Sequence, residues 1–151
     1  MNNNYDNEME IKFKSLSCNE KFARSCVAAF CVQLNPTLDE IVDIKTVISE
    51  AVTNCVVHAY PNKVGDITIK VKIKNTSVYI SVIDNGVGIS DITKAREPFF
   101  TTKPNEERSG MGFTVMESFM DKVEVLKNKG GGIIVNMIKH IGNLKSIAVN
   151  E

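Results

Sequence analysis

The sequence predicts an α+β domain in which helices cover the apolar face of a mostly antiparallel sheet, and three observations predict it. Ile67, Ile69, Val71 and Ile73 alternate with Thr68, Lys70 and Lys72, and Val78, Ile80 and Val82 alternate again after the turn Lys74-Asn75-Thr76-Ser77. That is a hairpin with one apolar and one wet face. Upstream of it, two stretches repeat apolar side chains at helical spacing, each behind a capping-box pair. Far downstream, Phe113, Met116, Phe119 and Met120 restore helical spacing, and Val123, Val125 and Ile133 to Ile138 supply further strands.

Taken in order, residues 1–8 are polar and are expected to be a flexible tail. Met9, Ile11 and Phe13 alternate with charged residues, as in a half-buried strand. Ser17 stands three residues before Glu20 and opens a helix carrying Phe22, Ala23, Cys26, Val27, Phe30 and Cys31. This helix should stop near Asn35-Pro36, because the residue before proline avoids the helical region. Thr37 and Glu40 open a second, longer helix with Ile41, Ile44, Ile48, Val52 and Cys55 on its apolar face and Pro61 at its end. From Gly86 to Gly110 periodicity disappears. A structureless loop that long is uncommon in a compact domain unless it is a functional lid, and Phe99-Phe100 argues against a disordered insertion. Asn128 to Gly132 reads as a turn, and the chain from His140 onward as a second tail. The expected organisation is a single domain over residues 9–139.

Composition narrows the function classes. The chain has 151 residues, 43% of them hydrophobic, enough for one sizeable core. Without tryptophan, that core must come from Ile, Val, Met and the seven Phe. The 18 basic and 18 acidic side chains cancel, which argues against a general nucleic-acid or anionic-membrane surface. No apolar run is long enough to span a bilayer, and the first residues lack the pattern of a signal peptide. Cys18, Cys26, Cys31 and Cys55 form no CxxC pair, and three of them sit in helical patterns on or near apolar faces and read as reduced core thiols, so a cytoplasmic location is expected.

Three constellations could carry chemistry. Glu50, Asn54 and His58 recur at i, i+4 and i+8 along the second helix and form one polar stripe beside Ile44, Val47, Ala51, Val52 and Cys55. Asn54 offers an amide oxygen to a hard cation, with Glu50 one turn away to deprotonate a hydroxyl or water. By spacing alone, a solvated or capping Glu/Asn pair is the commoner explanation, and His58 reads as a hydrogen-bonded residue at the helix end. Asp84 precedes Asn85-Gly86-Val87-Gly88. The carboxylate could accept from a base amine while the glycines let backbone approach a flat ligand, although Asp-Asn-Gly is also ordinary turn chemistry. Arg108-Ser109-Gly110-Met111-Gly112 lies at a helix start, where exposed N–H groups suit phosphate. Neither glycine cluster is a Walker loop or a GxGxxG turn.

Together these motifs resemble the ATP-binding domain shared by DNA gyrase, Hsp90, sensor histidine kinases and MutL. The resemblance is closer still to the small serine kinases that act as sporulation anti-sigma factors. Ser49 to Pro61 resembles their asparagine box, Asp84 to Ile89 their first glycine box, and Phe99 to Pro104 with Arg108 to Phe113 their lid and second glycine box. The resemblance covers residues 9–139 and implies a two-layer sandwich, a mixed and mostly antiparallel sheet with helices on one face. It implies Glu50 as general base toward a serine hydroxyl, Asn54 as ligand of Mg2+, and Asp84 as reader of adenine with Gly86 and Gly88 shaping its pocket. Thr101, Thr102 and Lys103 would belong to the ATP lid, and Arg108, Ser109, Gly110 and Gly112 would hold phosphates. The implied partners are a sporulation sigma factor, an anti-anti-sigma protein bearing the acceptor serine, and a second copy of the chain, with Arg24 as the partner contact. A catalytically weak ATP-binding module that only sequesters a sigma factor is the alternative. One departure stands out: Gly131-Gly132 is followed by Ile133-Ile134 where such kinases often carry a threonine near adenine.

Overall fold

The computed structural model describes residues 4–88 and 112–142. Strand β1 (Asn7–Lys14) leads into helix α1 (Asn19–Cys31), which tightens into one 3₁₀ turn at Val32–Leu34. Asn35 then takes a left-handed conformation (φ 53) before Pro36, so the helix ends where the proline predicts. Helix α2 (Leu38–Asn54) follows and widens into a π-helical segment at Cys55–Ala59. Strands β2 (Asp66–Lys74) and β3 (Ser77–Asp84) form the predicted hairpin, in register from Lys74 opposite Ser77 to Ile67 opposite Asp84. Helix α3 (Gly112–Phe119), β4 (Lys122–Lys127) and β5 (Ile133–His140) complete the domain.

The sheet has five strands in the order β1-β2-β3-β5-β4, and every pairing is antiparallel. One hydrophobic cluster joins Ile67, Ile69, Val71, Ile80 and Met137 of the sheet to Val27 of α1, Ile44, Val47, Ile48 and Val52 of α2 and Met116 of α3. The helices therefore cover one face of the sheet, as expected. Among the described residues no helix is long and apolar enough to cross a membrane.

Four expectations are corrected. The capping box at Ser17–Glu20 does not form: the N-cap of α1 is Cys18, without a side-chain cap, and the Glu20 amide turns back onto the Ser17 carbonyl instead. The box at Thr37–Glu40 does form, with both reciprocal bonds. Phenylalanine contributes little to the core: of the described ones only Phe113 is buried, and Phe22 is half exposed, edge-on to Phe13. The buried positions of α1 are taken by Ala23, Val27, Ala28 and Cys31, while Phe13 and Phe30 pack against the core only partly buried. Of the four cysteines only Cys31 and Cys55 are buried, Cys18 being exposed at the helix cap. The expected tails are also shorter, since Asn7 and Glu8 belong to β1. At the other end, His140 closes β5, Ile141 is buried, and the Gly142 amide donates to Glu40 of α2.

Candidate functional site

Along β3 the core-facing positions are Val78, Ile80, Val82 and Asp84, so the two-residue period carries a carboxylate onto the apolar face of the sheet. Asp84 is 1% exposed. Its Oδ1 accepts from the Gly86 amide at 2.9 Å and the Ile133 amide at 3.2 Å, and its Oδ2 from the Cys55 thiol at 3.6 Å. Burial pushes the carboxyl above the ordinary aspartate range, and these donors offset only part of that rise. A buried carboxylate with no cation beside it among the described residues is costly to keep for packing alone.

The loop after Asp84 is held rigidly. The Tyr60 hydroxyl donates to the Asp66 carbonyl at 2.7 Å and accepts from the Asn85 amide at 2.7 Å. The Asn128 side-chain amide donates to the Asp84 carbonyl and to the Asn85 side chain. Val87 donates its amide to the Ala59 carbonyl, and a Cβ at Gly86 would lie 2.2 Å from that same oxygen. Glycine is thus required at 86 by the chain itself, because the loop docks on the end of the π segment. At Gly88 a Cβ would meet only ordinary contacts with the Gly132 backbone, at 3.7 and 3.8 Å, so glycine serves there through its positive φ of 79. Sequence reasoning missed Tyr60, Asn128, Gly132 and Cys55 as parts of this site. The first three look like a helix end and a turn, and Cys55 like core.

Glu50 and Asn54 lie one turn apart, Asn54 being the last residue of α2. The helix widens immediately after it, and the Tyr60 amide closes on the Cys55 carbonyl with π-type spacing. His58 lies within this widened segment. Among the described residues no group of three or more His, Cys, Asp or Glu could hold a metal. A cation at Asn54 would thus draw most of its ligands from water and phosphate oxygens, which suits magnesium.

On the other side of α2 a cavity of about 500 Å³ opens toward α1, lined by Glu20, Arg24, Lys45, Ser49, Glu50 and Thr53 among others. Arg24 pairs with Glu20 across one helical turn and reaches Ser49 Oγ at 3.4 Å. Burial would raise the Glu20 carboxyl, but hydrogen bonds from Ser49 and Arg24 and the guanidinium charge hold it below the ordinary range. Two residues read separately from the sequence, Arg24 and Glu50, thus line one cavity. Thr101, Thr102, Lys103, Arg108, Ser109 and Gly110, like the expected lid as a whole, lie outside the described residues. Gly112 opens α3.

A family model described as a histidine kinase-like ATPase domain matches residues 18–139. The anti-sigma F factor of Caldanaerobacter subterraneus subsp. tengcongensis is 58% identical over 91% of this chain and 96% of its own. That of Bacillus licheniformis is 50% identical over 93% and 97%. Among solved structures, the RsbU and RsbW domains of a Mycobacterium tuberculosis protein superpose with a TM-score of 0.64 at 18% identity, covering 89% of this chain and 32% of that one. The catalytic domain of the histidine kinase ThkA superposes with a TM-score of 0.56 at 19% identity, covering 88% and 97%. These two share the fold. With a family model over most of its length and relatives at this identity, the chain belongs to the histidine kinase-like ATPase domain family and, within it, to the anti-sigma F factors.

Proposed function

We propose that this protein is an anti-sigma factor that holds a sporulation sigma factor inactive and uses Mg-ATP to phosphorylate a serine on its anti-anti-sigma antagonist. The observation that carries the reading is the order of groups along α2. Glu50 faces the Arg24 cavity, Asn54 ends the helix one turn later, and Cys55 touches the buried Asp84. In this reading Asp84 accepts from the adenine amine and Asn54 ligates Mg2+, with Gly112 at the start of α3 and the Arg108–Gly110 segment on the phosphates. Bound Mg-ATP supplies the γ-phosphoryl group and its charge neutralisation. Glu50 takes the proton of the incoming serine hydroxyl, while Arg24 orients the partner that brings this serine into the same cavity. The functional unit is a homodimer in the cytoplasm, as the resemblance implies.

The test is one incubation with γ-labelled ATP, magnesium and candidate anti-anti-sigma proteins from the same genome. Label on a serine of one such protein is the expected result. Tight capture of a sigma factor with no transfer to any candidate would leave a sequestering module instead.

A further inference from the structure

Asp84 divides its two oxygens unequally. Oδ1 is committed to the backbone, accepting from Gly86 and Ile133. Oδ2 receives a single donor among the described residues, the Cys55 thiol at 3.6 Å. Both side chains are almost wholly buried, at 4% exposure for Cys55 and 1% for Asp84. The widening of α2 begins at Cys55, whose amide is shared between the Ala51 and Val52 carbonyls. Such π segments recur at functional sites. Cys55, at the start of this segment, carries the weakest donor of the hydroxyl and thiol side chains, against the one Asp84 oxygen that no backbone amide of the described residues claims.

We propose that Cys55 is a positioning residue for base recognition: its thiol holds Asp84 Oδ2 turned toward the adenine amine without competing strongly for it. This role rests on the nucleotide reading above. A thiol donates weakly, so an amine arriving at Oδ2 remains the stronger partner. An apolar side chain at 55 would leave Oδ2 with no donor among the described residues and only the two amides on Oδ1 to fix the carboxylate, and the selectivity for an amine at the base would fall.

The probes are ATP and ITP, which carries a carbonyl where adenine has its amine, titrated by calorimetry with magnesium on the full chain. Cys55→Ala should weaken ATP by about fivefold, the scale of one modest hydrogen bond, and leave ITP unchanged. Cys55→Ser, which restores a donor, should recover the ATP:ITP ratio. Cys55→Val, with similar volume and no donor, should behave as Cys55→Ala does, which separates the lost donor from a packing defect. On an Asp84→Asn background, Cys55→Ala should add no further loss. Equal weakening of ATP and ITP, or an unchanged ratio in both Cys55→Ala and Cys55→Val, would overturn the proposal. Asp84→Asn alone separates the failures. If it leaves the ATP:ITP ratio intact, the adenine reading itself falls; if it collapses the ratio while the Cys55 variants do not, only the role of Cys55 falls.

Discussion

An alanine Cβ at position 132 would lie 2.1 Å from the Asp84 carbonyl oxygen, so Gly132 and Asp84 make a backbone contact that only glycine permits. The contact sits beside the Ile133 amide that donates to the Asp84 carboxylate, and Gly132 itself has φ +90. Gly132→Ala should therefore cost at least ~1–3 kcal/mol of backbone strain and also displace the carboxylate. Gly130→Ala is the control, since its φ of +85 is strained too but no atom lies within 4 Å. Urea denaturation should show a loss for both, whereas only Gly132→Ala should also lose ATP binding. Equal ATP affinity in the two variants would detach Gly132 from the site.

Asp84→Asn should have opposite effects on stability and on ligand. Burial raises the folded-state pKa of Asp84, so folding favours the protonated form. Stability from this group then falls as pH rises from the ordinary aspartate range through the raised value. An asparagine escapes that loss while its amide oxygen can still accept from Gly86 and Ile133. The nucleotide-free variant should match wild type in acid and become the more stable of the two as pH climbs to neutrality. Its ATP affinity should drop by about one to two decades, the equivalent of roughly 1.5–3 kcal/mol for a charge-assisted bond. Thermal melts across pH, with ATP titrations at neutrality, check both. A variant less stable than wild type at neutral pH would show that the ionised carboxylate is well solvated.

Tyr60→Phe removes the hydroxyl that ties Asn85 to Asp66 and leaves two backbone groups to find other partners. A loss of about 1–3 kcal/mol is expected for each group that stays unpaired. Because Asn85 follows the base-reading carboxylate directly, ATP binding should weaken as well. Unchanged stability and affinity would mean that water replaces the hydroxyl at no cost.

How much of the molecule is legible in its sequence follows from period. Strands β2 and β3 and helix α2 announce themselves by strict alternation or helical spacing, β5 by a short apolar run, and Thr37–Glu40 marks a cap by chemistry that is local. Extending the β3 alternation by one step is enough to put Asp84 on the core face. Ser17–Glu20 has the same local chemistry as the working cap, but the turn after β1 starts the helix one residue later. Gly132, Asn128 and Tyr60 act through contacts between segments far apart in the chain, which no local pattern encodes. The widening after Asn54 likewise ends where the Gly86 loop docks on the Ala59 carbonyl, a contact between separate segments.

Arg24 is held, not free to sweep solvent: Glu20 pairs with it and Ser49 sits at 3.4 Å. A guanidinium fixed this way presents its remaining donors to a partner at low entropic cost. Arg24→Glu would set two carboxylates against each other beside Glu50, while leaving the Asp84 end of the site untouched. ATP affinity should stay within about twofold, whereas capture of the sigma factor or the anti-anti-sigma protein in a pull-down should be lost. Capture at wild-type levels would reduce Arg24 to a structural ion pair of small worth.

Glu50 decides between enzyme and module. A serine hydroxyl is a poor nucleophile until its proton has somewhere to go, and a positioned base contributes ~10²–10⁴-fold in rate. Glu50 lines the cavity that also holds Arg24 and stands one turn before Asn54, so a partner docked at Arg24 and a cation at Asn54 would meet at this carboxylate. Both residues lie on one helix whose inner face is fully buried at Ile44, Val47, Ile48 and Val52, and a rigid mount of this kind makes positioning cheap. Glu50→Gln keeps the shape and the polar contacts but removes the basic charge. It should bind Mg-ATP and the sigma factor almost normally while transferring phosphate at least tens of fold more slowly. Asn54→Ala should differ, losing magnesium-dependent nucleotide binding too. Single-turnover transfer at saturating ATP is the measurement. A Glu50→Gln rate within about twofold of wild type would take the proton acceptor away from the proposed reaction and leave a domain that acts by binding.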